Sequence, residues 1–244
     1  MHPPSAPAPP CRRLRAYALD PHFSLSFAAQ DYSTIEIELP WDDAVTPGPA
    51  DEYLEVVDYD PASQAFYPPV DLNAHYVLAQ AGIPPSESNP QFHQQMVYAV
   101  ARTTIRHFEY ALGRCILWAP RGNDSVDRLR IYPHALREAN AYYSPAKRAL
   151  LFGYFPADAA TPGSMLPGGM VFTCLSHDII AHETTHAIVD GLHRRFLEPS
   201  NEDVLALHEA VADLVALFQH FTYPSVLRAA IADTRGDLER ESVL

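Results

Sequence analysis

The chain has 244 residues, 48% of them hydrophobic, which is enough to bury a sizeable core in one large domain or in two lobes around a cleft. Its 17 Lys and Arg face 30 Asp and Glu, a formal net charge of −13; so acidic a surface repels phosphate, which makes nucleic acid and anionic membranes poor partners. The three cysteines, Cys11, Cys115 and Cys174, are scattered and form no Cys-x-x-Cys pair, no run of 18 apolar residues offers a membrane span, and the start lacks a secretory leader, so a reducing, cytoplasmic setting is expected.

In chain order, residues 1–13 are rich in Pro and Ala and are expected to form a flexible tail, with "CRRLR" as its solvated basic patch. "TIEIELP" (Thr34 to Pro40) alternates apolar and acidic residues, the pattern of a half-buried strand. "EYLEVVDYDP" (Glu52 to Pro61) reads as a second strand closing in a turn. In that turn Asp58 and Asp60 are better explained by an Asx turn than by calcium. The proline-rich stretch after it reads as irregular, with a short helix around Leu72 to Ala81. A long helix follows. Asn89 caps it, Pro90 suits its first turn, Gly113 stops it, and Met96, Val97, Val100, Ile105, Phe108 and Leu112 repeat at helical spacing. "CILWAP", "RLRIYPHA", "NAYYS", "ALLFGYF" and "MVFTC" then read as strands. From Ser176 the pattern is helical. Ser176 caps a helix running to about Arg195, Ser200 and Asp203 have the spacing of a capping box, a second helix runs to a stop before Pro224, and a third begins near Ser225. The expected fold class is α+β, with a sheet-rich lobe over 14–175 and a helical lobe over 176–244.

The helix after Ser176 contains His182, Glu183 and His186 within an otherwise apolar run, Ile179, Ile180, Ala181, Ala187, Ile188 and Val189. Two histidines four apart share a helix face, so both rings can reach one cation while Glu183 stands beside it. Polar groups on so apolar a helix are costly unless they are satisfied. Such a five-residue pattern arises by chance in roughly a few per cent of chains this long. The next helix weighs against chance. Glu209 and Asp213 are again four apart, among Leu205, Ala206, Leu207, Val211, Ala212, Leu214 and Val215. Glu209 is placed to complete a three-ligand zinc site and Asp213 to accept the N–H of a ligand histidine.

"HETTHAIVDGLH" followed by "NEDVLALHEAVADL" resembles the thermolysin-like gluzincin metallopeptidases, with their His-Glu-x-x-His and Glu-x-x-x-Asp helices. The resemblance extends to "NPQFHQQMVYAVARTTIRHFEYALG" and "NAYYSPAKRALLFGYF", covering about Gln91 to Phe218. It implies a zincin-like fold, with zinc bound by His182, His186 and Glu209. It further implies hydrolysis of peptide bonds by metal-activated water, with Glu183 as general base, Asp213 and Asp190 bracing ligand histidines, and a peptide or protein substrate held along the edge strand at Asn140 and Ala141. His208, beside Glu209, is a further candidate brace. The chain departs from the family where relatives carry an oxyanion-binding Tyr, having Phe196 and Leu197 there. Relatives also carry further helices beyond the counterpart of Leu244, so the helical lobe is expected to be incomplete. These departures leave a second expectation open, a zinc-binding scaffold with weak or no proteolysis. His177 and His193 read as surface residues, and nothing in the sequence ties His220 or Tyr223 to the metal.

Overall fold

The computed structural model describes residues 9–21, 33–120, 128–158, 168–193 and 195–237. Strands β1 (Cys11–Tyr17) and β2 (Thr34–Pro40) pair antiparallel from Cys11 opposite Pro40 to Tyr17 opposite Thr34. The alternation in β2 has its predicted effect: Ile35, Ile37 and Leu39 face the core, while Glu36 and Glu38 face solvent. The expected tail therefore ends at Cys11, and its first eight residues lie outside the described ones. Arg12 is no solvated tail residue. It is buried, and its guanidinium donates to the Leu72 and Asp42 carbonyls and to Asn73 Oδ1 (2.7 Å), clamping the 42–73 region onto the strand pair.

The predicted strand over Glu52–Pro61 divides into β3 (Leu54–Val56) and β4 (Tyr59–Asp60), the latter pairing with β5 (Ala65–Phe66). Asp60 accepts the Ala62 amide at 2.8 Å, the Asx turn read from the sequence. Helix α1 (His75–Ala79) is one short turn. Helix α2 (Pro90–Leu112) has the predicted bounds. Asn89 accepts from the Gln91 amide, Pro90 occupies the first turn, and Gly113 ends the helix in the left-handed conformation. From Phe92 to Ala101 every residue of α2 is buried, so its first half is core on all sides. The polar residues in that run have partners. Gln94 bonds the Val70 amide and Asp58, and Gln95 bonds the Ile83 amide and the Arg15 carbonyl.

The main sheet runs in the order β3, β6 (Leu129–Leu136), β8 (Ala149–Pro156), β7 (Ala141–Ser144), with β9 (Met170–Phe172) on the far end of β8. The β3–β6 and β6–β8 pairs are parallel, and β7 and β9 run antiparallel to β8. β7 is thus an edge strand. "CILWAP" is irregular rather than a strand; Ile116 and Trp118 are buried, and Trp118 bonds the Tyr53 carbonyl through its indole N–H. A turn of 3-10 helix (Thr173–Leu175) leads into α3 (His177–Leu192), which ends at Leu192 rather than about Arg195. Ser176 stands at its N-cap without a side-chain cap bond.

Helix α3 packs on α2, β7 and α4 (Glu202–His220), and α5 (Pro224–Thr234) follows. Asn201, accepting from the Val204 amide, caps α4 in place of the expected Ser200 and Asp203 box. α4 buries a stripe one turn apart, His208, Ala212, Ala216 and His220, and leaves Leu207, Leu214 and Phe218 exposed. Two glycines permit close backbone approach. A Cβ on Gly191 in α3 would lie 2.0 Å from the Leu117 carbonyl oxygen, and one on Gly153 in β8 would lie 2.6 Å from that of Asn140. Among the described residues no single helix is long and apolar enough to cross a membrane. The molecule is a mixed α+β fold.

Candidate metal centre

Helix α3 presents His182 and His186 towards α4, and α4 presents Glu209 and Asp213 towards them. The two threonines between the histidines are satisfied within the helix, Thr184 and Thr185 donating to the Ile180 and Ala181 carbonyls. Three atoms converge. His182 Nε2 and His186 Nε2 are 2.9 Å apart, and Glu209 Oε2 lies 3.2 Å from the first and 3.4 Å from the second. Ligands about 2.0–2.1 Å from a tetrahedral ion stand about 3.3 Å apart, close to these three edges.

The outer nitrogens say what the inner ones carry. His182 Nδ1 is 2.9 Å from Asp213 Oδ1, and a carboxylate only accepts, so the neutral ring carries its proton on Nδ1 and presents a lone pair at Nε2 towards Glu209 and His186. His186 Nδ1 is 2.6 Å from His208 Nδ1. With the proton on His186 Nδ1, His208 accepts, and the His186 Nε2 also presents a lone pair. Burial, then the neighbouring His182, hold the His186 pKa down to about 4, which favours the neutral, ligating ring. Two imidazole lone pairs and a carboxylate oxygen pointing at one spot repel unless a proton or a metal cation lies among them. These residues can hold a metal ion. Asp213 and His208 thus stand where bracing groups are expected.

Asp190 does not. It accepts from the Tyr143 hydroxyl at 2.7 Å and lies 3.8 Å from Arg148, while His186 turns its outer nitrogen to His208 instead. His208 on α4, 2.6 Å from His186 Nδ1, takes that position.

Glu183 is buried and turns to the sheet. Its Oε2 accepts the Tyr143 main-chain N–H at 2.7 Å. Burial pushes its pKa up to about 7, opposed by that amide and by His182. Because Tyr143 N–H points off the sheet, strand parity puts the N–H and C=O of Ala141 on the same open edge. That edge borders a cleft of about 570 Å³ lined by Asn140, Ala141, His182, Glu183, Asp178 and His220. A second hollow of about 330 Å³ shares Ala141, His182 and Glu183 and extends to His208, Glu209 and Leu197. The structure therefore brings every predicted site residue except Asp190 to one cleft or its metal-side wall.

Sequence reasoning missed several residues. Tyr143, within the predicted "NAYYS" strand and given no role there, touches both Glu183 and Asp190. His177, read as a surface residue, is fully buried, with Nε2 3.1 Å from the Tyr223 hydroxyl, and burial, then His220, lower its pKa to about 3. Its spacing from Ala181 and Thr184, both buried, was the available signal. His220 is hydrogen-bonded to Asp178 at the cleft wall. His193 is exposed, as expected. Leu197 brings no donor to the cleft. Compared with known proteins, the chain matches no family model, and no curated protein sequence matches it significantly.

Proposed function

We propose that this chain is a zinc-dependent metallopeptidase with a zincin-like, thermolysin-like arrangement. The observation that carries the reading is the triangle of His182 Nε2, His186 Nε2 and Glu209 Oε2, with edges of 2.9, 3.2 and 3.4 Å, beside a buried carboxylate at an open sheet edge. His182, His186 and Glu209 would hold the zinc, with Asp213 and His208 fixing the tautomers of the two histidines. Zinc bound there supplies a Lewis acid that polarises a carbonyl and makes water a better acid at neutral pH. Glu183 takes a proton from water at its free oxygen and returns it to the leaving amine, and the Tyr143 amide holds the carboxylate in place through the other oxygen. An extended peptide lies beside β7, its main chain pairing with Ala141 and its side chains passing alternately into the cleft by Asn140 and away from it.

A second reading, a zinc-binding scaffold with little chemistry, is favoured by one observation. Leu197 lines the hollow, at the sequence position where the thermolysin-like family that the chain resembles has a hydroxyl donor, and losing one such donor typically costs about 10²–10³ in rate. The test is cleavage of a mixed peptide library by the zinc-loaded chain, with and without chelator. Chelator-sensitive cleavage is expected, falling about 10²–10⁴-fold in Glu183→Gln with zinc retained. Undiminished cleavage in Glu183→Gln overturns the role of that residue. A zinc-loaded chain that cleaves nothing favours the scaffold.

A further inference from the structure

A second group of ligating side chains lies away from the cleft. His93 on α2, His134 on β6 and Cys174 in the turn before α3 are each at most 2% exposed, and one ligand atom from each lies within 4.8 Å of the others. The partners of the two rings determine their protons. His93 Nε2 is 3.1 Å from the Glu87 carbonyl oxygen, which only accepts, so His93 carries its proton there and a lone pair on Nδ1. His134 Nδ1 is 2.6 Å from Asp58 Oδ1, so His134 carries its proton on Nδ1 and a lone pair on Nε2. His93 Nδ1 and His134 Nε2 then face each other at 2.8 Å, lone pair to lone pair. That contact needs a positive charge between the rings.

Two charges could supply it, an extra proton or a metal ion. The third member of the group decides between them. A shared proton does not call for a sulfur within 4.8 Å of both rings, whereas two imidazoles and a thiolate are a familiar donor set for borderline transition metals. Charge also balances. A divalent ion is neutralised by the Cys174 thiolate and by the buried Asp58, whose other oxygen accepts from Gln94 at 2.8 Å. Asp58 to His134 to metal is the carboxylate–histidine arrangement that orients ligand rings. We propose that His93 Nδ1, His134 Nε2 and the Cys174 sulfur hold a divalent transition metal of the zinc type in a buried three-ligand site. Binding releases the thiol proton and the proton shared between the rings to solvent, opens the 2.8 Å nitrogen contact to about 3.3 Å, and draws the sulfur to about 3.5 Å from each nitrogen. The rings of Phe172, 4.6 Å from His93, and Tyr67, 5.0 Å from His134, wall the group off. The ion ties α2 and β6 to the turn that launches α3, so it anchors the helix of the first centre from its N-terminal end. Asp58 thus serves this centre, and Asp60 the turn beside it.

The test uses cobalt(II) added to the chelator-treated full chain. A thiolate ligand gives cobalt an intense sulfur-to-metal charge-transfer band in the near ultraviolet, which the nitrogen and oxygen donors of the first centre cannot produce. The band is expected in the native chain and in Cys11→Ser/Cys115→Ser, where Cys174 is the remaining thiol, and is expected to vanish in Cys174→Ser. Absence of the band from Cys11→Ser/Cys115→Ser overturns the proposal and identifies a shared proton instead. Because that variant keeps every buried residue of the group, the result stands even if Cys174→Ser does not fold. A positive band with no peptidase activity leaves this centre intact and counts against the first reading alone.

Discussion

His208 and Asp213 brace the two ligand histidines from opposite environments, and their replacement should weaken zinc unequally. His208 is 5% exposed and lies 2.6 Å from His186, whereas the Asp213 side chain is 74% exposed and lies 2.9 Å from His182. In His208→Phe a ring of similar size remains, but the His186 Nδ1–H loses its acceptor inside the protein. An unsatisfied buried donor costs about 1–3 kcal/mol, or the ring turns its proton to Nε2 and blocks the metal. At about 1.4 kcal/mol per tenfold, zinc should bind roughly 10–100-fold more weakly. In Asp213→Asn the exposed His182 N–H still finds the amide oxygen or water, and an exposed ion pair is worth about 0–1 kcal/mol. A loss of no more than about fivefold is expected. The assay is competition against a chromophoric chelator at fixed pH, read on the equivalent of zinc that His182→Ala abolishes, with helix content checked by circular dichroism. Asp213→Asn weakening zinc more than His208→Phe does would refute the tautomer reasoning on which the centre rests.

Two further outcomes follow from packing and burial. Gly191→Ala puts a methyl group into the Leu117 carbonyl, 2.0 Å away, and should destabilise the chain by about 1–3 kcal/mol or more in denaturant titration; an unchanged midpoint would show that the 115–120 segment yields freely. Stability should also fall in acid. His177 is neutral when folded, its pKa lowered to about 3 chiefly by burial, while an unfolded histidine titrates near 6.5. The unfolded chain therefore binds the extra proton as pH drops, and this contribution is whole above about pH 6.5 and shrinks towards pH 3. At pH 5 the loss from His177 is about 2 kcal/mol. The groups facing it are His220, Asp178, Tyr223, Gln219 and His107. His177→Gln should flatten the slope of thermal midpoint against pH between 6.5 and 5, and an unaltered slope would mean that other groups carry it.

What could be read from the chain was whatever local chemistry decides. Asn89, Pro90 and Gly113 bounded α2 because capping and left-handed termination involve neighbours in sequence. The spacing of four between His182 and His186, and between Glu209 and Asp213, is a property of one helix turn, and the structure brings both pairs together. What escaped depended on distant partners. Arg12 is buried because Leu72, Asp42 and Asn73 fold back over it. "CILWAP" has the composition of a strand but packs Ile116 and Trp118 inward without a pairing strand and leaves Leu117 exposed. Asp190 lies one turn beyond His186, yet the Tyr143 hydroxyl claims it, an encounter between helix and sheet that spacing alone does not reveal. The group of His93, His134 and Cys174 has no sequence signature, since its members come from a helix, a strand and a turn.

The amide of Tyr143 belongs to Glu183, and this shortens the ledge on which an extended chain could rest. On the open border of β7 there remain the amide and carbonyl of Ala141 and the carbonyl of Tyr143, three groups each worth about 1 kcal/mol net. So brief a grip on main-chain atoms would let most sequences slide off quickly. Discrimination, and any long residence, would then have to come from side chains filling the hollows to either side.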